Sequence, residues 1–254
     1  MNPMKAPRTP EVKYRRQLEA YTKGFIKVTQ EQIIPLIHSL ETEYVQDEHV
    51  ITTDTYVDFL EERFRQLRAQ LALANSTAKL MAIPFVSETN RMNKDRFYSA
   101  VKNTAGVDLG VIARSENLED TLRLSVTANV DLITSIPEQY FKKLEGVVYR
   151  GMIEGQSATS LTEQVMAIGK VEYKRAKLIA RDQTSKLNSA LTKQRAQNVG
   201  SEEYIWRTAG DGRVRDSHIK NNGKTFRWDD PPPKTGHPGT DIQCRCVAQV
   251  VIKV

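Results

Sequence analysis

Two cysteines, Cys244 and Cys246, are all that the 254 residues contain. So sparse a set builds no disulfide framework, and a reducing compartment is the default. Long apolar runs are missing as well. The greasiest stretch, Leu71 to Val86, is interrupted by Asn75, Ser76, Lys79 and Pro84, and falls far short of the roughly 20 apolar residues that span a bilayer. The basic first residues lead into no apolar stretch of signal-peptide length, which predicts a soluble protein made in the cytoplasm. Glycine and proline stand at ordinary levels, 13 and 10 residues, which excludes collagen and low-complexity disorder. Aromatic residues make up 7% and charged ones 27%, a balance that favours helices over a β-sandwich. No phosphate loop, dinucleotide fingerprint, G-x-S-x-G elbow or H-E-x-x-H helix occurs. A complete catalytic constellation is therefore lacking.

What the chain does have is helical periodicity. Leu18, Tyr21, Phe25, Val28, Ile33, Leu36 and Ile37 recur at helical spacing. Pro35 is expected to kink or break that segment, because it lacks the N–H for the i−4 bond. A second helix is predicted from Thr52 or Thr53 through Leu60, Phe64, Leu67 and Leu71, ended or bent by Pro84, and a third from Asn90 to Asn103. Gly106 to Gly110 reads as a turn or short hinge. Thr121 to Ile133 fits helix and strand equally poorly. Ser135 stands as an N-cap with Pro137 near the first helical position, which predicts a helix through Tyr140, Leu144 and Val148 that weakens at Gly151 and Gly155. Another opens at Ser157 or Ser160, with Gly169 beyond its end.

Lys170 to Val199 is the clearest element. Eight cations (Lys170, Lys174, Arg175, Lys177, Arg181, Lys186, Lys193 and Arg195) stand against two acids, Glu172 and Asp182, so this stretch matches the chain's whole net charge of +6. A charge run of this kind is usually a solvated face. The sharper reading makes Lys170, Lys174, Arg175, Lys177, Lys186, Lys193 and Arg195 a surface for DNA phosphates or another acidic partner. Gln183 and Thr184 interrupt the apolar face, where buried polar groups need partners. With Arg181 and Asp182 they are expected to support loops packed on the helix.

After Gly200 the texture changes to short strands, near Glu203 to Thr208 and Val247 to Val254, separated by turn-rich loops. Trp206, Phe226 and Trp228 form the expected apolar centre. So little core needs a neighbour or a staple. His218, His237, Cys244 and Cys246 have the ligand types and count of a tetrahedral structural zinc site; the alternative is two small buried thiols and two loop histidines. Alternation along a strand puts both cysteines on one face. Around them, Asp211, Arg213, Arg215 and Asp216 read mainly as a structural network, with aspartates capping a short helix and arginines pairing with Asp229, Asp230 or Asp241. A metal-dependent nuclease, with His218 as general base and Asp211 as metal ligand, is the competing reading. His38 and His49 are isolated.

The run Ile179 to Lys186, then Tyr204 to Thr208 with Arg207, then Asp211, Arg213, Val214, Arg215 and His218, then Gly236 to Gly239, then Cys244-Arg245-Cys246, resembles the C-terminal domain of the phage Mu F-like head morphogenesis proteins. The resemblance covers roughly Ser135 to Val251. It implies a minor capsid protein of a tailed phage or prophage, present in the procapsid or virion. Its implied partners are the portal protein or capsid interior, with double-stranded DNA as a further one, and its implied role lies in head assembly, DNA packaging or delivery. Some larger relatives carry toxin enzymes after this domain, whereas here the chain stops just past Cys-Arg-Cys.

The reading as a whole is a mainly α fold with a small C-terminal α+β module. Residues 1–133 form a variable helical region, and 135–254 a Mu F-like domain in which a long basic helix packs on a loop-rich, short-strand unit.

Overall fold

Helical periodicity governs the chain as far as Asn198. The computed structural model describes residues 1–46, 53–106 and 116–252. The fold is mainly α with a small C-terminal sheet, as the sequence predicts. Among the described residues five long helices come first: α1 (Arg8–Gln46), α2 (Thr53–Asn75), α3 (Ala78–Ala105), α4 (Glu119–Ile153) and α5 (Ala158–Asn198). Strand β1 (Glu203–Arg207), the one-turn α6 (Asp216–Ile219), β2 (Thr225–Arg227) and β3 (Val247–Val250) follow.

Prolines and glycines end fewer helices than their positions suggest. Pro35, Pro84 and Pro137 lie inside α1, α3 and α4, and α5 continues through Gly169. Each proline forfeits one backbone bond. Buried Ile33 and Ile37, Phe85 and Val86, and Ile133 and Ile136 flank the three sites, and burial of an apolar face outweighs one lost bond. The ambiguous stretch Thr121 to Ile133 is helical for the same reason. Ser135 is not a cap: its hydroxyl donates to the Leu132 carbonyl and accepts from Arg175. Ser157 does cap, accepting the Ser160 N–H ahead of α5. Gly169 is a site of close approach, since a Cβ there would lie 3.1 Å from Ile26. His49, most of the expected 106–110 hinge and the last two residues lie outside the described residues.

The chain forms two compact units. One comprises Arg16–Leu80 and Val130–Lys177 and is helical. Phe25 and Tyr140 meet with ring centroids 5.3 Å apart, and Leu161 fills the space that a side chain at Gly151 would need. Glu172 is fully buried there, held by Lys143 at 2.6 Å and Arg175 at 3.4 Å. His38 Nε2 lies 3.2 Å from the Thr162 hydroxyl.

The other unit gathers Met1–Arg15, Met81–Asn129 and Leu178–Val254. Its sheet is antiparallel in the order β2-β1-β3, with Tyr204 opposite Phe226 and Trp206 opposite Ala248. Tyr204 and Trp206, two residues apart, bury the same face completely. Trp228, Cys244, Cys246 and Val250 join them, and so do Met4, Phe97 and Val101. The loop-rich module is thus closed by a neighbour, supplied by the first residues and α3. The expected division between 133 and 135 runs through α4, and each compact unit draws on both sides of it.

The basic helix is not one charged face. Arg195 has no exposed surface. Its guanidinium binds Glu116 at 2.8 and 3.0 Å, Asn90 at 2.6 Å, and Asn93. Burial pushes the Glu116 carboxyl up, but hydrogen bonds from Arg195 and Tyr98 more than offset it, and the net shift is downward. Removing one partner of such a pair strands the other. Arg195→Met should destabilise the protein by about 3–5 kcal/mol, read by urea unfolding, and adding Glu116→Gln should restore part of it. A loss under about 1 kcal/mol, the worth of an exposed pair, would show that the guanidinium is solvated.

Candidate metal centre

Three buried side chains converge where the chain turns into β3. Cys244 and Cys246 flank Arg245 just before the strand, and the alternation of extended backbone sends both sulfurs to one side. His218, on α6, receives them: its Nδ1 lies 3.5 Å from Cys244 Sγ and 3.4 Å from Cys246 Sγ. The three ligand atoms all lie within 4.8 Å of one another. The far side of the imidazole is fixed too. Nε2 stands 3.2 Å from the Asp241 carboxylate, and the ring meets Trp206 edge-on at 5.4 Å. A proton on Nε2, donated to Asp241, leaves the Nδ1 lone pair facing the sulfurs.

Backbone donors favour negative charge at this point. The N–H groups of Gly239 and Cys246 both donate to Cys244 Sγ at 3.4 Å. The Cys244 thiol is drawn down to about 6, first by the hydrogen bond from Cys246, against burial, with the two N–H groups and His218 adding to the effect. Cys246 is pushed up by sharing that proton and by burial. The buried Trp206 indole N–H, directed at Cys246, acts in the opposite sense. Gly239 supplies its donor from φ +89°, and a Cβ there would lie 3.1 Å from Ser189 Cβ and 3.3 Å from the Ser185 carbonyl on α5. Only glycine meets both demands.

His237, the fourth ligand expected from sequence, is not among the three. Its Nε2 accepts from Lys193 Nζ at 2.9 Å, and its Nδ1 lies 3.1 Å from the Tyr204 hydroxyl. Burial, then the Lys193 charge, lowers its pKa to about 4. A neutral imidazole between a lysine and a tyrosine is packing rather than ligation.

The supporting network forms with partly different members. Asp182 accepts the Gln243 N–H at 2.6 Å, Arg181 donates to the Gln243 side-chain oxygen at 2.6 Å, and the Gln243 amide donates to the Leu178 carbonyl. These bonds hold Gln243 at φ 57°, a conformation costly for a side chain with a Cβ. Gln183 and Thr184 do not take part: Gln183 donates to its neighbour Asp182, and the Thr184 hydroxyl to the Ala180 carbonyl one turn back. Arg207 pairs across the sheet with Gln249. Asp211 accepts both ends of Arg245 and the N–H of Arg213, which lowers its carboxyl to about 2. Arg215 reaches Asp241 and the Ile242 carbonyl, so the expected arginine–aspartate pairing is met at Asp241. Asp211 and His218 are not assembled as metal ligand and base. Gln243 escapes sequence reasoning because a glutamine in a loop carries no spacing signal, while Asp241 is expected only as an arginine partner and Gly239 only within the Gly236 to Gly239 run.

Of the proposed partner surface, Lys170, Lys174 and Lys177 are exposed. Arg175 binds Ser135 and Glu172, Lys186 binds Asp182 and Lys193 binds His237, while Arg195 is buried. Among the described residues no helix is long and apolar enough to cross a membrane.

A helical protein closed by a small sheet over a His-Cys-Cys group in its last third is the class that these features define. Residues 142–249 match the family described as "Phage Mu protein F like protein", so this part of the chain is a Mu F-like region. It is 34% identical over 250 residues to an "Uncharacterized protein" of Haemophilus influenzae, covering 96% of this chain and 54% of the relative. It is 42% identical over 55 residues to the "Mu-like prophage FluMu F protein" of the same organism, 21% of this chain and 13% of that one. The chain thus spans about half the length of the first of these relatives. No solved structure matches.

Two outcomes are expected from this geometry. Gly239→Ala should cost about 1–3 kcal/mol by imposing strain at positive φ, read as a lowered urea midpoint; an unchanged midpoint would show that the turn relaxes. The second concerns His237, whose folded pKa near 4 lies below the roughly 6.5 of an unfolded histidine. The unfolded chain takes up the proton first, so stability is full above that value and declines as pH falls toward 4. His237→Gln should flatten that part of the curve, and thermal melts from pH 7 to pH 4 measure it.

Proposed function

We propose that the chain is a non-catalytic minor head protein of a tailed phage or prophage. In this reading it works in procapsid assembly, DNA packaging or delivery through contacts with the portal protein or capsid interior. It is made in the host bacterial cytoplasm and ends in the procapsid or virion. The carrying observation is the family match over residues 142–249, which lies inside the proposed module of residues 135–254. Lys170, Lys174 and Lys177 are the cations best placed for a DNA phosphate contact, because they are exposed. Such contacts would weaken steeply with salt.

Zinc held by His218, Cys244 and Cys246 completes the proposal. Bonds of about 2.3 Å to sulfur and 2.0 Å to nitrogen at a tetrahedral angle set S and N about 3.5 Å apart, close to the 3.4 and 3.5 Å found. The carboxylate behind the imidazole and the N–H donors on Cys244 are the outer partners such a ligand set needs. A metal here would tie α6 to β3 and link folding of the loops to its binding. Three protein ligands are also the count of catalytic zinc sites, which favours a metal-dependent nuclease or processing enzyme as the second reading.

Protein purified without a histidine tag should carry about one zinc per chain, and chelation should lower its melting temperature. Less than about 0.2 zinc per chain with no such change would remove the metal from the proposal. In cells assembling heads, the protein should co-sediment with empty procapsids at low copy. Its recovery solely in the free fraction would overturn the head assignment. Plasmid nicking that chelator abolishes would favour the enzyme instead.

A further inference from the structure

A cleft of about 160 Å³ opens over the His218, Cys244 and Cys246 side chains and is walled by Arg181, Arg213, Arg215 and Arg245. Four guanidinia around one small opening are costly unless something negative balances them. Two carboxylates do so in part: Asp211 holds Arg245 and Asp241 holds Arg215. Arg181 donates to a neutral amide oxygen, that of Gln243, and Arg213 is exposed at the rim. The cleft therefore keeps an excess of positive charge at the place where three ligand side chains meet it.

We propose that this cleft binds a tetrahedral phosphate-class oxyanion, a phosphate ester or free phosphate, with one oxygen at the fourth position of the metal. The inference rests on the metal reading above. Three protein ligands leave one coordination position. All three ligand residues line this cleft, so that position opens toward the arginines. The planar fork of arginine matches the oxygen spacing of phosphate, and several forks around one group hold it more strongly than a surface cation does. Among the described residues no Phe, Tyr or Trp side chain lines the cleft for a base to stack on, so recognition is of the phosphoryl group alone.

Cobalt(II) in place of zinc separates this inference from the one beneath it. Loaded full-length protein should show a thiolate-to-cobalt charge-transfer band, which reports the Cys ligands. Inorganic phosphate, titrated against chloride at constant ionic strength, should then shift the visible d–d bands and saturate. Arg213→Gln should weaken that response by roughly tenfold, the loss of one charge-assisted bond, and leave the charge-transfer band in place. Arg227→Gln, at an exposed arginine that ends β2 and pairs with Asp229, should not weaken it. If the charge-transfer band forms but phosphate moves nothing, or chloride moves the bands equally, the oxyanion site is wrong and the metal site stands. If no charge-transfer band forms, both fall. Competition by ten-nucleotide single strands identifies the source. Displacement by both the 5′-phosphorylated and the unphosphorylated strand marks a phosphodiester, and by the former alone a terminal phosphate. Displacement by neither marks the free anion.

Discussion

Everything in the sheet-bearing unit is arranged around a charge that water does not reach. Arg195 can be buried only because Glu116, Asn90 and Asn93 present oxygens to it at once. Those residues come from α3 and from the segment ahead of α4, so satisfying one guanidinium fixes where three parts of the chain lie. Asn93 extends the arrangement, donating to Asn188 and Thr192 on α5. A packed apolar seam tolerates sliding of a helix by a turn, whereas a multidentate buried ion does not, because each shift leaves an unpaired donor. Once α5 is fixed in register, Asp182, Arg181 and Ser189 stand where the loops before β3 need them, at Gln243 and Pro238.

Much of the fold was legible because helical period is a property of short windows. The strands near 203 and 247, and the aromatic centre of Trp206 and Trp228, could be read for the same reason. Helix ends were less so. Pro35, Pro84, Pro137 and Gly169 carry real local penalties, but whether a penalty ends a helix depends on what the other face buries, and that is a fact about distant residues. The same limit applies to Arg195, which composition assigned to a charged face. Its partners lie about a hundred residues upstream.

The candidate site divides along a similar line. Ligand chemistry and strand alternation brought His218, Cys244 and Cys246 together, since those are local arguments. His237 has the right element and the wrong surroundings: Lys193 and Tyr204 claim both of its nitrogens. Asp241, Gly239 and Gln243 act through a backbone donor, a positive φ or an outer hydrogen bond, and such roles leave little trace in residue type. The Mu F-like region thus has its ligand chemistry in residue types and its support in backbone geometry.

The attachment of the first residues to the last strand gives this helical chain the folding schedule of a β protein. Met4 donates to the Ala248 carbonyl, and its own carbonyl accepts from Asn188, 184 residues away. Loop-closure entropy rises only slowly with length, so such contacts cost modest stability, but contacts distant in sequence slow the search for the native state. At about 5–20 residues per second, the ribosome would leave Met4, Phe97 and Val101 without their apolar partners for on the order of ten seconds or more, while the helices around them form. The unit therefore closes last where its two ends meet. The interval before β3 emerges is when its apolar surface is open to chaperones and to aggregation.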